Sequence, residues 1–206
     1  MVKEARRRST DQRGPLGAAQ VCIRGVSVNL DSLKDGVPPG LSAGHGAFMA
    51  EAAAACLEDR GHKPGVHMRA EGCFDGRMDV TWEPVTEIVR RNHGDLQEAT
   101  EEGACGIALL VLFEMGGFTV AQRSYKGTGF DYWLGRMGAP LFQKKARLEV
   151  SGILSGDQSE IQRRTRQKHA QVARGKGGRE AYVAVVEFGG PVTRITRHDA
   201  DAEQAR

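Results

Sequence analysis

Aromatic residues are scarce: seven Phe, three Tyr and two Trp supply 6% of the 206 residues. A core made from this chain must lean on Val, Leu, Ile and Ala. Long apolar runs are also missing. The longest, Ala104–Phe113, is about half of what a membrane-spanning helix needs, so it reads as a core helix and no membrane partner is expected. No apolar stretch follows the basic residues at the N-terminus, which argues against a secretory signal. Cys22, Cys56, Cys73 and Cys105 contain no C-x-x-C pair. Cys56 and Cys105 fall in Ala-rich helical patterns, which favours buried thiols over disulfides and a reducing cytoplasmic location. The six histidines include no H-E-x-x-H, and His62, His67 and Cys73 lack an ordinary zinc spacing. There is no G-x-x-x-x-G-K-[ST] and no G-x-S-x-G. Gly44-His45-Gly46 has neither a strand directly before it nor a third glycine, which excludes the dinucleotide fingerprint. No internal repeat is present.

The chain is rich in glycine, with 27 residues, and 27% of it is charged, with a net charge of +3. That net charge is too small to imply nucleic acid by itself, but its distribution is uneven. Lys3, Arg6, Arg7, Arg8 and Arg13 crowd the N-terminus, and Gln162–Arg174 carries Arg163, Arg164, Arg166, Lys168 and Arg174 with no acid. Such a basic helix is either a solvated face or a phosphate-facing surface.

Periodicity and punctuation give a mixed α/β chain. Residues 1–17 are polar and basic and are expected to be disordered; residues 199–206 are read as a flexible tail. Residues 18–91 read as a β-α-β-β unit. Its strand spans Ala19–Leu30 with Gly25 as a bulge, Ser42 caps a helix that Gly61 ends, and a hairpin turns at Asp75-Gly76. This unit is either a small lobe or an extension of the main sheet. Pro84 opens a helical turn to Arg91. Residues 92–198 form the main core, in the order α-β-β-β-α-β. Asp95 caps a helix to about Met115. Phe118–Tyr125, Phe130–Leu134 and Ala146–Leu154 are extended, and Glu160–Arg174 is a second helix. Ala181–Phe188, continuously apolar, is a strand buried on both faces. Pro191–Arg197 reads as a weaker edge strand.

Two acids stand out. Asp131 follows Gly127-Thr128-Gly129-Phe130, and Glu149 lies within Arg147-Leu148-Glu149-Val150-Ser151-Gly152. The bland readings are a turn-end aspartate and an ion-pair partner of Arg147 or Lys168. On these residues, and on the element order, the chain resembles the PD-(D/E)XK, or restriction-endonuclease-like, nuclease superfamily over about half its length. The stretches Lys126–Gly135 and Lys145–Gly152 are also similar to bacterial proteins that carry no assigned activity.

The resemblance implies that Asp131 stands for the strand aspartate and Glu149 for the first acid of the E-x-K motif, and that they hold Mg²⁺ or Mn²⁺. It also implies an assisting acid on the preceding helix, for which Glu101 is the closest match. The resemblance breaks at Ser151, where the family has a lysine; a hydroxyl hydrogen-bonds but brings no charge. Helical spacing offers a substitute, because Ile161, Thr165, Lys168 and Val172 share a stripe facing the sheet. Lys168 either reaches the carboxylates from there or snorkels to water. The expectation is therefore a metal-dependent DNA phosphodiesterase, of use in restriction, repair or defence. Asp131, Glu149, Ser151 and Lys168 are its catalytic residues, Asp131, Glu149 and Glu101 its metal ligands, and Arg163, Arg164 and Arg166 its DNA contacts. The alternative on the same fold is a catalytically inactive module that binds nucleic acid or a protein partner. A homodimer is compatible with either, and an unrelated α/β protein is the third reading.

Overall fold

The computed structural model describes residues 21–175 and 180–198. The stretches 1–17 and 199–206, expected to be disordered and flexible, lie outside the described residues. Among those described, eight strands form one sheet in the order β1-β3-β2-β8-β7-β6-β5-β4. The strands are β1 (Val21–Asn29), β2 (Val66–Gly72), β3 (Phe74–Thr81), β4 (Phe118–Arg123), β5 (Tyr132–Arg136), β6 (Ala146–Ile153), β7 (Ala181–Glu187) and β8 (Val192–His198). The helices are α1 (Ala43–Asp59), α2 (Glu87–Asn92), α3 (Leu96–Gly116) and α4 (Gln158–Arg174), with a 3-10 turn at Leu30–Asp35. No described helix is long and apolar enough to cross a membrane.

The layers follow from side-chain parity. On β7, Tyr182, Ala184 and Val186 join the large core that contains α1 and α3, while Ala181, Val183 and Val185 join a smaller one with Ile161 and Val172 of α4. Both faces are therefore covered, which is why β7 is apolar without alternation. On β6, Ala146, Leu148 and Val150 pack toward α3. Alternation sends Arg147, Glu149 and Ser151 to the α4 face, and all three are buried.

Helix ends match their caps. Ser42 accepts from His45 N, Asp95 accepts from Gln97 N and Glu98 N, and Asp157 accepts from Glu160 N. Gly117, in the left-handed region, closes α3. The bulge expected at Gly25 is present as a register shift between Ile23 and Val26. No disulfide joins the four cysteines; Cys56 is buried, Cys73 and Cys105 are partly so, and Cys22 is exposed.

Two expectations are corrected. The β2–β3 turn lies at Gly72-Cys73, not at Asp75-Gly76, since Ala70 pairs with Gly76 and Arg69 with Arg77. Gly72 takes the positive φ of 92° at that turn, while Gly76 is needed for close approach: a Cβ there would lie 2.4 Å from Ile23 O of β1. The second correction concerns β8. It is not an edge strand but sits between β2, to which it is parallel, and β7, to which it is antiparallel. It thereby fuses the β-α-β-β unit to the main sheet, which makes that unit an extension rather than a lobe. The edge at β4 is partly covered, because Val120 N donates to Pro39 O (2.9 Å).

Candidate functional site

β5 and β6 pair only from Tyr132 opposite Leu148 to Leu134 opposite Ala146. Beyond that point β6 continues without β5, and Asp131 marks the divergence. Its N–H still donates to Leu148 O (2.8 Å), while its Oδ2 accepts from Val150 N (2.7 Å). The carboxylate stands in for a backbone carbonyl where the ladder ends. Asp131 thus lies just before β5 rather than within it, and β5 begins two residues later than the Phe130 start expected.

Glu149 is one residue past the last position at which β6 pairs with β5. It is 1% exposed. From α4, Lys168 Nζ lies 2.5 Å from its Oε1, and Gln171 Nε2 donates to the same oxygen at 2.8 Å. Its other oxygen, Oε2, is buried and finds no donor among the described residues. Asp131 and Glu149 influence each other's protonation. Burial, and then the charge of Asp131, push Glu149 up to about 7, against the pull of Lys168. Burial also raises Asp131, against the Val150 N–H and Lys168. The pair cannot carry two negative charges cheaply, so it keeps a proton or takes a cation.

This sets the sign of a pH dependence. Glu149 holds its proton more firmly folded than unfolded, so the stability linked to it is present below its ordinary value of 4.5 and is lost as pH rises to about 7. In EDTA the melting temperature should fall across that window, and Glu149→Gln should flatten the fall. An equal slope in both proteins would refute the assignment.

Asp131 and Lys168 line a cleft of about 220 Å³, together with Glu101, Glu102 and Cys105 of α3 and Arg123 at the end of β4. Ser151 and Arg164 line it as well. Burial and the charge of Asp131 push the Cys105 thiol well above its usual range, so it is a neutral wall. A larger groove of about 580 Å³ adjoins it and shares Glu101, Gly152 and Arg164.

The structure therefore gathers Asp131, Glu149, Ser151 and Lys168 at one place and sets Glu101 on the wall of the cleft. Among the described residues no three of His, Cys, Asp or Glu cluster as a ready metal site. The basic cluster is divided. Arg164 lines the cleft, Arg163 and Arg166 are exposed, and both Arg163 and Arg164 pair with Glu160 (2.6 and 3.0 Å). Tyr132 is buried in the core, while Trp133 is half-buried with its ring against Phe130. Sequence reasoning missed Gln171, Arg123 and His45. Gln171, three residues after Lys168 on the same helix, was the one within reach of the spacing argument. No protein-family model matches this chain, and neither a curated protein nor a solved structure does.

Proposed function

We propose that the protein is a divalent-cation-dependent phosphodiesterase acting on DNA, built on a divergent restriction-endonuclease-like core. The observation that carries this reading is the Asp131–Glu149 pair, with one buried oxygen lacking a donor among the described residues, beside a cleft lined by Asp131, Lys168 and Arg164. The order α3-β4-β5-β6-α4-β7 agrees with such a core, with β4, β5 and β6 antiparallel in turn and β7 parallel to β6.

The donor set suits Mg²⁺ or Mn²⁺. These hard cations take one or two carboxylates and fill the rest of their shell with water and substrate phosphate. The bare Glu149 Oε2 is where a positive charge would relieve the pair. Bound there, the cation would lower the pKa of a water and offset charge on the leaving oxygen. The remaining work belongs to the chain. Asp131, fixed by Val150 N–H, and Glu149, fixed by Gln171, form the rigid base. Lys168 restores the positive charge that Ser151 cannot bring, and its ammonium steadies negative charge growing on phosphate oxygens. Arg164 draws the backbone phosphates in. Glu101 assists from α3.

Asp131→Asn keeps an acceptor for Val150 N while removing the charge. Cleavage of plasmid and oligonucleotide DNA with Mg²⁺ or Mn²⁺ should fall on the order of 10²-fold or more. Cleavage unchanged in both Asp131→Asn and Asp131→Ala would discard the reading.

The ion pair between Lys168 and Glu149, with Ser151 uncharged, favours one alternative: a binding module without catalysis. That version requires metal-independent binding of DNA or of a protein. A surface that binds DNA should weaken with salt and with charge removal at Arg163, Arg164 and Arg166. Calorimetric Mn²⁺ binding that Glu149→Ala abolishes would set it aside.

A further inference from the structure

We propose that Arg123 is a phosphate-binding residue of this cleft, held in readiness by Glu102 and His45; the proposal rests on the phosphodiesterase reading above. Arg123 ends β4, and its side chain, 56% exposed, lines the same cleft as Asp131 and Lys168. Three elements converge on its guanidinium. Nη2 donates to Glu102 Oε1 of α3 at 2.8 Å, Nη1 lies 3.3 Å from His45 Nε2 in the first turn of α1, and the Tyr132 ring of β5 lies 6.0 Å away.

The chemistry of His45 fixes the direction of these contacts. The Tyr132 hydroxyl is 3.2 Å from the same Nε2. Arg123 N–H can only donate, so Nε2 accepts, the ring proton sits on Nδ1, and the Tyr132 hydroxyl acts as a donor to Nε2. Burial, then the charge of Arg123, lower the pKa of His45 and keep it neutral. A neutral imidazole holds the guanidinium without cancelling its charge.

A guanidinium has five N–H groups in one plane. Two of them serve Glu102 and His45, and the rest suit the paired oxygens of a phosphate. An exposed arginine ordinarily pays rotamer entropy when it docks on a ligand; one clamped at both ends has paid much of it already. Arg123 stands on the β4 side of the carboxylates, whereas Arg164 comes from α4. The pair of guanidiniums fits a DNA strand whose neighbouring phosphates are gripped on either side of the one between Asp131 and Lys168. The bland alternative is that Arg123 merely balances Glu102, whose second oxygen is buried without a donor among the described residues.

The two are separated by binding of a short fluorescein-labelled duplex DNA to the full chain in Ca²⁺, across a salt series. Arg123→Ala should weaken binding about tenfold and reduce the log–log salt slope by about one, as expected for one lost phosphate contact. Calorimetric Mn²⁺ affinity should stay as in wild type. His45→Leu, which keeps the arginine but removes one clamp, should weaken binding a few-fold with the salt slope intact. That effect should vanish in the Arg123→Ala background, because the two act as a unit. Arg123→Gln, which retains a donor for Glu102, guards against loss of fold and should weaken binding as Arg123→Ala does. Wild-type affinity and salt slope in Arg123→Ala and Arg123→Gln, with wild-type cleavage intact, would overturn this proposal while sparing the phosphodiesterase. DNA binding that depends on Arg123, without Mn²⁺ binding or cleavage, would support the phosphate site and remove the catalytic reading. No DNA binding by the wild-type chain would overturn both.

Discussion

Glu149→Gln is expected to abolish Mn²⁺ binding and to lower DNA cleavage on the order of 10³-fold, while making the fold more stable above neutral pH. The substitution keeps the shape of the side chain and an oxygen for Gln171, but removes the charge. Loss of a preorganised charged group at a reacting centre commonly costs two to three orders of magnitude. The stability gain has a separate origin. Glu149 is 1% exposed and is pushed up to about 7 by burial and by Asp131, so the wild-type protein ionises it at a cost when the pH is higher. A glutamine never ionises. Lys168 loses its counter-ion, but its side chain is 21% exposed and retains access to water. Calorimetry with Mn²⁺, cleavage assays and thermal melts read the three effects independently. Cleavage within tenfold of wild type would remove Glu149 from the chemistry. Lower stability above neutral pH would show that the ion pair with Lys168 outweighs burial.

Gly152→Val should strongly damage the fold while touching no proposed chemical group. Gly152 lies on the α3 face of β6, and a Cβ there would come 2.2 Å from Thr100 O and 2.6 Å from Thr100 Cγ2. Neither neighbour can yield, since the oxygen is helix backbone and the Thr100 hydroxyl is tied to Leu96 O at 2.6 Å. Helix and strand must separate. Overpacking of this kind costs about 3 kcal/mol, or roughly 6–12 °C in melting temperature for a chain of this size. α3 also carries Glu101, Glu102 and Cys105 to the cleft, so the damage should spread to any DNA binding there. Urea denaturation with an unchanged midpoint would show that α3 moves away at no cost.

How far the residues foretell this arrangement varies along the chain. The β7 run announced a strand covered on both faces, and Asp95 and Gly117 set the ends of α3, because caps and apolar runs act locally. Helical spacing set Lys168 on the stripe facing the sheet, with buried Ile161, Thr165 and Val172, but left open whether it reaches the carboxylates, which its contact with Glu149 decides. The β8 position was misread. Arg194 and Arg197 give it a polar alternation that suits an edge, yet those arginines pair with Glu71 and Glu180 beside it. The clamp on Arg123 was invisible, since His45 is 78 residues away and Glu102 is 21. No periodic pattern links positions that only tertiary packing brings together. Asp131 was legible as an acid after a glycine turn, but its bond to Val150 N depends on where β5 parts from β6, and strand propensity does not mark that point.

The place of β8 has a bearing on biosynthesis. Every other described strand leaves the ribosome before it, yet it lies between β2 and β7. Until it is made, the nascent chain carries two half-sheets with open backbone edges, one of them the wholly buried β7. Such edges recruit foreign strands. β8 thus acts as a keystone, and a chain halted before it is complete should be more prone to mispairing and to chaperone capture than the finished protein.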